Sequence, residues 1–362
     1  MNGTLIVSVV GTSILTNTSK NDPLIRRFAN QKVRGEIPAE AVDAVDALLV
    51  RADAAVASAS PAGAAELSAE LNTLQKLLSA PSAGVRQHVL ISTDTWLGSR
   101  CAEMVQAWLQ QRGDTVELKR IADLRTTTLE ELQLAFADIA RWCDETIPGY
   151  RTAGYRIVFN LTGGFKAVQG FMQTLAYFYA DETVYTFEGA ELMRIPRLPV
   201  KITADDAVRD NLAAFRRMAL SLPVDAQTAA GIADPLQMVV GSERCLSSWG
   251  ELVWGQSRPA FYGEQLWPSP SPRVIFGKAF VASTSDLNAE RLRILNERID
   301  DVVRFVEAKK QIRRLDLKPL KGDPVPGSTH EFDAWADADT RRVFCHYEGN
   351  VLVLDKLGKA LH

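Results

Sequence analysis

The stretch Ile157-Val-Phe-Asn-Leu-Thr-Gly-Gly-Phe-Lys166 decides the fold of the first half of this chain. Its three leading apolar residues predict a buried strand, and the run 167–179 predicts a helix. A strand that ends in Thr-Gly-Gly and turns into a helix presents free backbone N–H groups and a positive dipole end. The glycines let a phosphate approach the backbone closely, and Lys166 adds a charge. The stretch therefore predicts a site for an anionic nucleotide.

Strands and helices alternate along the first part of the chain. Apolar runs predict strands at 5–10, 89–92, 116–121 and 183–187. Helical patterns lie at 39–80, where Pro61-Ala-Gly63 makes a break into two helices, and at 99–111 and 128–146. A Thr-x-x-Glu capping box, Thr128 to Glu131, opens the last of these. This alternation predicts an α/β fold with a doubly wound parallel sheet, over residues 1–203.

The composition limits the class of protein. A length of 362 residues predicts two or three domains, and a net charge of -3 argues against general coating of nucleic acid. The four cysteines form no CxxC pair, which predicts reduced thiols and no zinc site. The apolar run at 5–10 is too short to span a membrane, and no basic segment precedes it. We expect a cytoplasmic protein with no metal, no cofactor and no membrane partner.

Small polar residues follow three of the predicted strands. Because ligands of doubly wound sheets lie beyond the carboxyl ends of the strands, these ends predict one shared pocket. Neither GxxxxGK[ST] nor GxGxxG occurs, which disfavours a P-loop and a dinucleotide cofactor. The predicted ligand-binding residues are Gly11, Thr12, Ser13, Ser92, Thr93, Asn160, Thr162, Gly163, Gly164 and Lys166.

The runs GTSILTN (11–17) and NLTGGFKA (160–167) resemble the loops of CARF domains, which are CRISPR-associated Rossmann-fold sensors. The resemblance covers roughly residues 1–200. It implies that both loops bind a cyclic oligoadenylate, here cyclic tetra-adenylate, across the two-fold axis of a homodimer, because a symmetric ring suits identical half-sites. Some members of the family also cleave the ring slowly, and Ser13 and Lys166 would be the residues that do so here.

The pattern changes after Ile202. Residues 205–220 predict an amphipathic helix, 237–254 predict a pair of helices, and Pro268-Ser-Pro-Ser-Pro272 predicts a linker. Aromatic residues are concentrated between these segments. We expect a winged-helix-like connector over 204–271, although a plain dimerisation or spacer module fits the pattern equally well.

The last part of the chain predicts an α+β domain over 272–362. A strand at 273–283 and a long charged helix at 288–315 precede a hairpin of strands 343–346 and 351–354. Between 303 and 321 seven basic residues stand against two acidic ones. A solvated helix surface would explain this, and so would contact with the phosphate backbone of RNA. The predicted RNA-binding residues are Lys309, Lys310, Arg313, Arg314, Lys318 and Lys321.

RNA can be cut without a metal when a base deprotonates the 2′-OH, cations stabilise the phosphate, and an acid protonates the leaving oxygen. Arg342 offers a fork suited to phosphate oxygens, and His346 titrates near neutrality. In a strand both would point to one face. Glu331 or Asp333 would be the base. Packing or simple exposure is an equally good explanation for a single histidine in a strand.

The runs LKPLKG (317–322), HEFDAW (330–335) and RRVFCHYEGNVLVLDKLGK (341–359) resemble the RelE/HigB toxins, which are ribosome-dependent mRNA interferases. The resemblance implies a metal-independent endoribonuclease that cuts mRNA in the ribosomal A site, with Lys356 and Lys359 as catalytic residues beside Glu331, Asp333, Arg342 and His346. Two departures stand out. Carboxylates occupy positions where some members place lysines, and Cys345 replaces the usual tyrosine.

A CARF sensor fused to a RelE-like nuclease is similar to the CRISPR–Cas-associated mRNA interferases. This similarity implies an allosteric endoribonuclease of type III CRISPR antiviral defence, whose partners are the ribosome, A-site mRNA, a cyclic oligoadenylate and a second copy of the chain. Two other functions fit the same residues. One is a nucleotide-gated CARF/winged-helix transcription regulator, and the other is a ring nuclease that degrades the cyclic oligoadenylate.

Overall fold

The computed structural model describes residues 2–79, 84–187, 191–197, 205–321 and 324–360. The chain divides into two compact units, Met1–Lys201 and Ile202–His362. The border predicted at 203/204 and residue 80, the predicted end of a helical region, lie outside the described residues. None of the helices in the described ranges is long and apolar enough to cross a membrane.

A six-stranded sheet forms the centre of the first unit. Its order is β3-β2-β1-β4-β5-β6, in which the first five strands run parallel and β6 is antiparallel to β5. The predicted doubly wound, Rossmann-like fold is confirmed. The strands are β1 (Gly3–Val10), β2 (Val85–Ser92), β3 (Thr115–Arg120), β4 (Tyr155–Asn160), β5 (Glu182–Phe187) and β6 (Glu191–Pro196).

The central strand β1 is apolar because helices cover both faces of the sheet. Leu5 and Val7 are fully buried, and Ile6 is 3% exposed. Strand β6 was not predicted, because it lies at the edge of the sheet and its sequence carries charged residues among the apolar ones. The helices of this unit are α1 (Ser13–Thr18), α2 (Pro23–Arg27), α3 (Ala39–Ser58), α4 (Pro61–Leu67), α5 (Ala69–Ser79), α6 (Trp96–Gln110), α7 (Leu129–Thr152) and α8 (Lys166–Tyr179).

Local capping explains where these helices begin. Thr128 accepts a hydrogen bond from the Glu131 N–H at 3.2 Å, as the capping box predicts. The region 39–80 holds three helices, not the predicted two. Ser68 makes the additional break, because its hydroxyl accepts a hydrogen bond from the Leu71 N–H at 2.9 Å and so starts α5. This cap places Glu70 in the first turn of α5.

The second unit contains a five-stranded sheet, a hairpin and five helices in its described part. The sheet order is β10-β11-β12-β13-β9, with β9 parallel to β13 and the other pairs antiparallel. The predicted α+β class is confirmed. The strands are β7 (Gln237–Val240), β8 (Glu243–Leu246), β9 (Val274–Phe276), β10 (Lys318–Pro319), β11 (His330–Trp335), β12 (Arg341–Glu348) and β13 (Val351–Lys359). The helices are α9 (Asp205–Arg209), α10 (Leu212–Ala219), α11 (Ser248–Glu264), α12 (Lys278–Ala282) and α13 (Ala289–Ala308).

Several predictions for this unit were wrong in detail. The helix predicted at 205–220 is two helices, α9 and α10. The helix pair predicted at 237–254 is the hairpin β7–β8 followed by the start of α11. Its turn contains Gly241 at φ 62°, a conformation that glycine adopts without strain. The strand predicted at 273–283 is only β9, because Gly277 is the N-cap of α12, which begins at Lys278. The hairpin predicted near the C-terminus is confirmed as β12–β13.

The long helix predicted at 288–315 ends earlier. Lys309 adopts φ 52° and ψ 26°, a left-handed conformation that stops α13 at Ala308. The buried face of α13 packs on the five-stranded sheet, with Leu295, Ile299 and Val302 fully buried. The segment 204–271 belongs to the same compact unit as this sheet. Its assignment as a separate winged-helix-like module stays a prediction.

Candidate functional site

The first unit has a crevice where the winding of the sheet reverses. Strands β1 and β4 are neighbours, but the chain continues from β1 toward β2 and from β4 toward β5, on opposite sides. Loops that leave two such strands diverge and open a ligand site. A cavity of about 370 Å3 lies there. It is lined by seven of the predicted residues, Gly11, Thr12, Ser13, Thr93, Thr162, Gly163 and Gly164.

Three predicted ligand-binding residues do not line this cavity. Ser92 is 3% exposed at the end of β2. Asn160 is fully buried, donates a hydrogen bond to Ser8 Oγ at 3.3 Å and accepts one from the Thr162 N–H at 3.2 Å. Asn160 therefore stabilises the turn between β4 and α8 and does not line the cavity. Lys166 is exposed at the first residue of α8, next to the cavity lining.

The loop between β4 and α8 is held from its carbonyl side. Gln169 Nε2 donates hydrogen bonds to the carbonyls of Thr162 at 3.3 Å and Gly163 at 3.1 Å. The Thr162 hydroxyl is engaged by Thr73 Oγ1 at 2.6 Å. Within the described part of the chain, the N–H groups of Gly163, Gly164 and Phe165 have no hydrogen-bond partner. These groups are donors for a ligand at the positive end of α8.

Glu70 is a cavity residue that the sequence analysis missed. It is only 1% exposed, and it accepts a hydrogen bond from the Gly11 N–H at 2.9 Å and one from the Ser13 hydroxyl. A Cβ atom at Gly163 would lie 2.2 Å from Glu70 Cγ, so only glycine leaves room for this carboxylate. No local pattern marks Glu70, because only the tertiary fold brings α5 to the ends of β1 and β4.

Arg125 and Asn30 were missed as well. Arg125 lines the cavity from the segment after β3, with its side chain 18% exposed. It pairs with Glu131 at 2.6 Å, while its Nε atom is buried and has no hydrogen-bond partner among the residues that the structure describes. Asn30 Oδ1 accepts a hydrogen bond from Thr126 Oγ1 at 3.1 Å. Arg125 could have been found by extending the strand-end argument to the residues that follow β3.

Lys32 and Arg120, the cations near the end of β2, both form ion pairs with Asp94. Burial would raise the pKa of Asp94, but a hydrogen bond from the Asp123 N–H and ion pairs with Lys32 at 3.0 Å and Arg120 at 2.8 Å lower it.

Beneath the cavity, burial and then the charge of Glu70 raise the pKa of the Cys101 thiol to about 12. Cys101 is therefore a neutral core residue.

A second cavity of about 700 Å3 adjoins the first. The two share Thr12 and Ala29 in their linings. The second cavity carries Arg26 and Arg27, both exposed cations without an ion-pair partner among the described residues. The first unit therefore offers positive charge at two adjoining places.

In the second unit, five of the six predicted catalytic residues lie on one face of the five-stranded sheet. Val343 and Cys345 of β12 are fully buried in the core, so alternation along the strand places Arg342 and His346 on the opposite face. Asp333 of β11 lies directly across from Arg342. The structure thus brings three of the six predicted catalytic residues into contact, namely Glu331, Asp333 and Arg342.

Arg342 is surrounded by carboxylates. It donates a hydrogen bond to Glu331, lies 3.0 Å from Asp333 Oδ1 and 3.2 Å from Asp316 Oδ2, and its side chain is 16% exposed. Burial, and the neighbouring charges of Asp316 and Glu331, raise the pKa of Asp333 although Arg342 opposes them. A carboxylate with a raised pKa is a stronger base than an exposed one.

His346 is held between two other carboxylates. Its Nδ1 lies 2.9 Å from Asp355 Oδ1, and its Nε2 lies 3.3 Å from Glu348 Oε1. These hydrogen bonds, led by the one to Asp355, raise the pKa of His346 above 6.5. Ser328 fixes Asp355 with a hydrogen bond of 2.7 Å. Asp355 was not predicted, because its role depends on a register shift between β12 and β13.

The predicted lysines separate onto two faces. Lys356 pairs with Phe344 across the strands and lies on the face of Arg342, whereas Lys359 pairs with Arg341 on the other face.

The predicted RNA-binding residues follow α13 and do not form a helical stripe. Asp301 binds Arg314 at 2.7 and 2.9 Å, and Asp316 pairs with Lys318 at 2.7 Å. Gly322 of the predicted run 317–322 lies outside the described residues. All six predicted residues have exposed side chains, including the paired Arg314 and Lys318.

One family model matches the chain. Residues 65–198 match Cas_APE2256, which is described as a CRISPR-associated protein. The match lies within the first unit and includes Glu70, Thr93, Arg125 and the loop after β4, and it supports a CRISPR-associated protein. No curated protein shows significant similarity to the chain.

Proposed function

We propose that this chain is a cyclic-oligoadenylate sensor joined to a metal-independent endoribonuclease that cuts mRNA in the ribosomal A site, in type III CRISPR antiviral defence. One observation carries the proposal. The cavity at the β1/β4 switch point combines the guanidinium of Arg125 with the N–H groups of Gly163, Gly164 and Phe165, which have no partner among the described residues. The match of residues 65–198 to a CRISPR-associated family supports the biological setting.

The cavity suits a nucleotide with a phosphate. Free backbone N–H groups at the start of α8 and a partly buried arginine attract an anion, and both are pre-organised by the sheet. A volume of about 370 Å3 lies at the small end of ligand sites, which span roughly 300–1,000 Å3. One cavity therefore holds one part of an oligonucleotide.

A ring of four nucleotides would need more than one such place. The adjoining cavity with Arg26 and Arg27 supplies cations for a further phosphate. We propose that a second copy of the chain supplies the symmetric half of the site, because a closed two-fold dimer repeats each contact.

The face around Arg342 has the groups that metal-free RNA cleavage needs. In the proposed reaction Asp333 takes the proton from the 2′-OH, whose oxygen attacks the adjacent phosphorus atom. The bond to the 5′-oxygen breaks, and the His346 imidazolium gives that oxygen a proton. The products are a 2′,3′-cyclic phosphate and a free 5′-OH. Arg342 stabilises the phosphate oxygens once its carboxylate partners release it.

Two measurements test the parts separately. Calorimetry with cyclic tetra-adenylate and cyclic hexa-adenylate tests the sensor and its ring size. Cleavage of mRNA on ribosomes at constant Mg²⁺, with analysis of the new ends, tests the nuclease. We expect saturable binding of the tetra-adenylate and cuts that leave a 2′,3′-cyclic phosphate and a 5′-OH. Absence of binding would reject the sensor, and cuts that leave a 5′-phosphate and a 3′-OH would reject the proposed chemistry.

A second candidate function is cleavage of the cyclic ligand itself. The observation that favours it is the carboxylate of Glu70 beside the hydroxyl of Ser13 at the cavity wall, since a carboxylate can act as a general base. Chromatography of cyclic tetra-adenylate after incubation with the protein distinguishes the two. Cyclic tetra-adenylate that stays intact after a long incubation with an excess of the protein would reject this candidate.

A further inference from the structure

The cavity of the first unit contains its own anion. Glu70 lies between the loop after β1 and the loop after β4, with Oε1 accepting from the Gly11 N–H at 2.9 Å and Oε2 accepting from the Ser13 hydroxyl. The absence of a Cβ at Gly163 is what makes room for it. At 1% exposure, the carboxylate is a fixed part of the cavity wall.

This arrangement gives the two loops different chemistry. An ionised carboxylate only accepts hydrogen bonds, so the one proton of the Ser13 hydroxyl points to Glu70. Ser13 therefore faces the cavity with lone pairs, and the Gly11 N–H is occupied. The loop after β4 has the opposite character, because the N–H groups of Gly163 and Gly164 are unpartnered within the described residues.

We propose that Glu70 is a specificity-determining residue that excludes ligand phosphates from the loop after β1 and directs them to the loop after β4 and Arg125. The reason is that a phosphate beside a fixed carboxylate in a partly dehydrated cavity is strongly repelled. The loop after β1 then binds the hydrogen-bond donors of the ligand, namely ribose hydroxyls or the amino group of adenine. In dinucleotide sites an acidic residue binds ribose hydroxyls in the same manner. The inference rests on the proposed function, since it assigns the orientation of a nucleotide.

Glu70→Gln removes the negative charge of this side chain and keeps its size and shape. The amide oxygen can still accept from the Gly11 N–H, and the amide nitrogen can donate to Ser13 Oγ. The Ser13 proton is then free to meet a phosphate. The matched control is Glu66→Gln, which removes the same charge from an exposed position on α4.

The probe is inorganic tripolyphosphate, measured by calorimetry on the full chain. We expect Glu70→Gln to bind tripolyphosphate at least about 10-fold more tightly than the unchanged protein, because a like charge is gone. Glu66→Gln should bind as the unchanged protein does. Equal or weaker binding of tripolyphosphate to folded Glu70→Gln would overturn the inference. A carboxylate whose only role is to hold the two loops together gives no gain in phosphate affinity when its charge is removed. If Glu70→Gln does not fold, Glu70→Ala takes its place with the same expected gain.

A second probe separates this inference from the proposed function. Cyclic tetra-adenylate and its 2′-deoxy analogue are compared on the same variants, and we expect Glu70→Gln to reduce the preference for the ribose form. One outcome is that the unchanged protein binds no cyclic tetra-adenylate while Glu70→Gln still binds tripolyphosphate more tightly. In that case the proposed ligand is wrong, and the inference that Glu70 repels phosphate is supported. If cyclic tetra-adenylate binds and neither change appears in Glu70→Gln, only the role of Glu70 is wrong.

Discussion

The Glu70 carboxylate accepts a hydrogen bond from the Gly11 N–H at 2.9 Å, which fastens the first turn of α5 to the end of β1. This bond crosses 59 positions of sequence. The same side chain packs against Gly163, so Glu70 touches both loops of the switch-point cavity.

Gly163→Ala should damage the cavity. The new Cβ would lie 2.2 Å from Glu70 Cγ, and overpacking of this kind typically costs about 1–3 kcal/mol. We expect a lower midpoint of thermal unfolding and a loss of at least about 10-fold in affinity for cyclic tetra-adenylate. The control is Gly170→Ala in α8, where no atom lies within 4 Å of the new Cβ, and where alanine should stabilise by about 0.5–1 kcal/mol. Similar behaviour of the two variants would contradict the packing of Glu70 against Gly163.

Arg125→Gln should weaken the binding of a phosphate-bearing ligand. Its guanidinium lines the cavity, and its buried Nε has no hydrogen-bond partner in the described part of the chain, so a ligand anion would complete its hydrogen bonding. We expect roughly 10-fold lower affinity for cyclic tetra-adenylate and a smaller dependence of that affinity on salt. Arg51→Gln, an exposed position on α3, is the matched control for net charge. An unchanged affinity in Arg125→Gln would remove Arg125 from the site.

His346 should keep its proton to a higher pH than an unperturbed histidine does. Its folded-state pKa is raised by Asp355 and Glu348, whereas the unfolded value is about 6.5. The stability that this pairing contributes is therefore fully present below about pH 6.5, and it is lost as the pH rises through the folded pKa. NMR titration of the His346 ring checks this. Asp355→Asn should lower the pKa of His346 and shift the alkaline limb of the cleavage rate to lower pH. A titration at or below 6.5 in the unchanged protein would contradict it.

Arg216→Ala should destabilise the second unit strongly. Arg216 is 1% exposed and donates hydrogen bonds to Asp300 at 2.7 and 3.0 Å, so its loss leaves a carboxylate of α13 without its cation. Removing one partner of a buried pair costs about 3–5 kcal/mol. Arg209→Ala, which breaks the exposed pair with Glu264, should cost about 0–1 kcal/mol. Denaturant unfolding measures both, and equal effects would show that the pair with Asp300 is not what joins 204–271 to α13.

The parallel sheet was predictable because its strands are buried on both faces and read as continuous apolar runs, as in Val7 and Val9 of β1. The loop after β4 was predictable because Thr-Gly-Gly has few other uses at the end of a strand. The elements at the edges of the sheets were not predictable. Strand β6 and the hairpin β7–β8 carry too few buried residues to give a periodic signal.

The candidate sites show the same limit. Gly11, Ser13 and Gly163 could be found because each follows a strand directly, whereas Glu70 lies within a helix and reaches the cavity only through the fold. Arg342 could be predicted to face the same side as His346. Its enclosure by Asp316 could not be predicted, because Asp316 follows residues 309–315, which the sequence pattern wrongly assigned to the long helix.

The most direct test adds cyclic tetra-adenylate to a translating extract that contains the full chain and maps the 5′ ends of mRNA fragments. We expect cuts in phase with codons only when the ligand is present. They should be lost in Arg342→Ala and retained in Arg341→Ala, the neighbouring arginine on the other face of β12. No codon-phased cuts with the ligand, or equal cuts in Arg342→Ala, would contradict the proposal that nucleotide binding activates a nuclease built around Arg342.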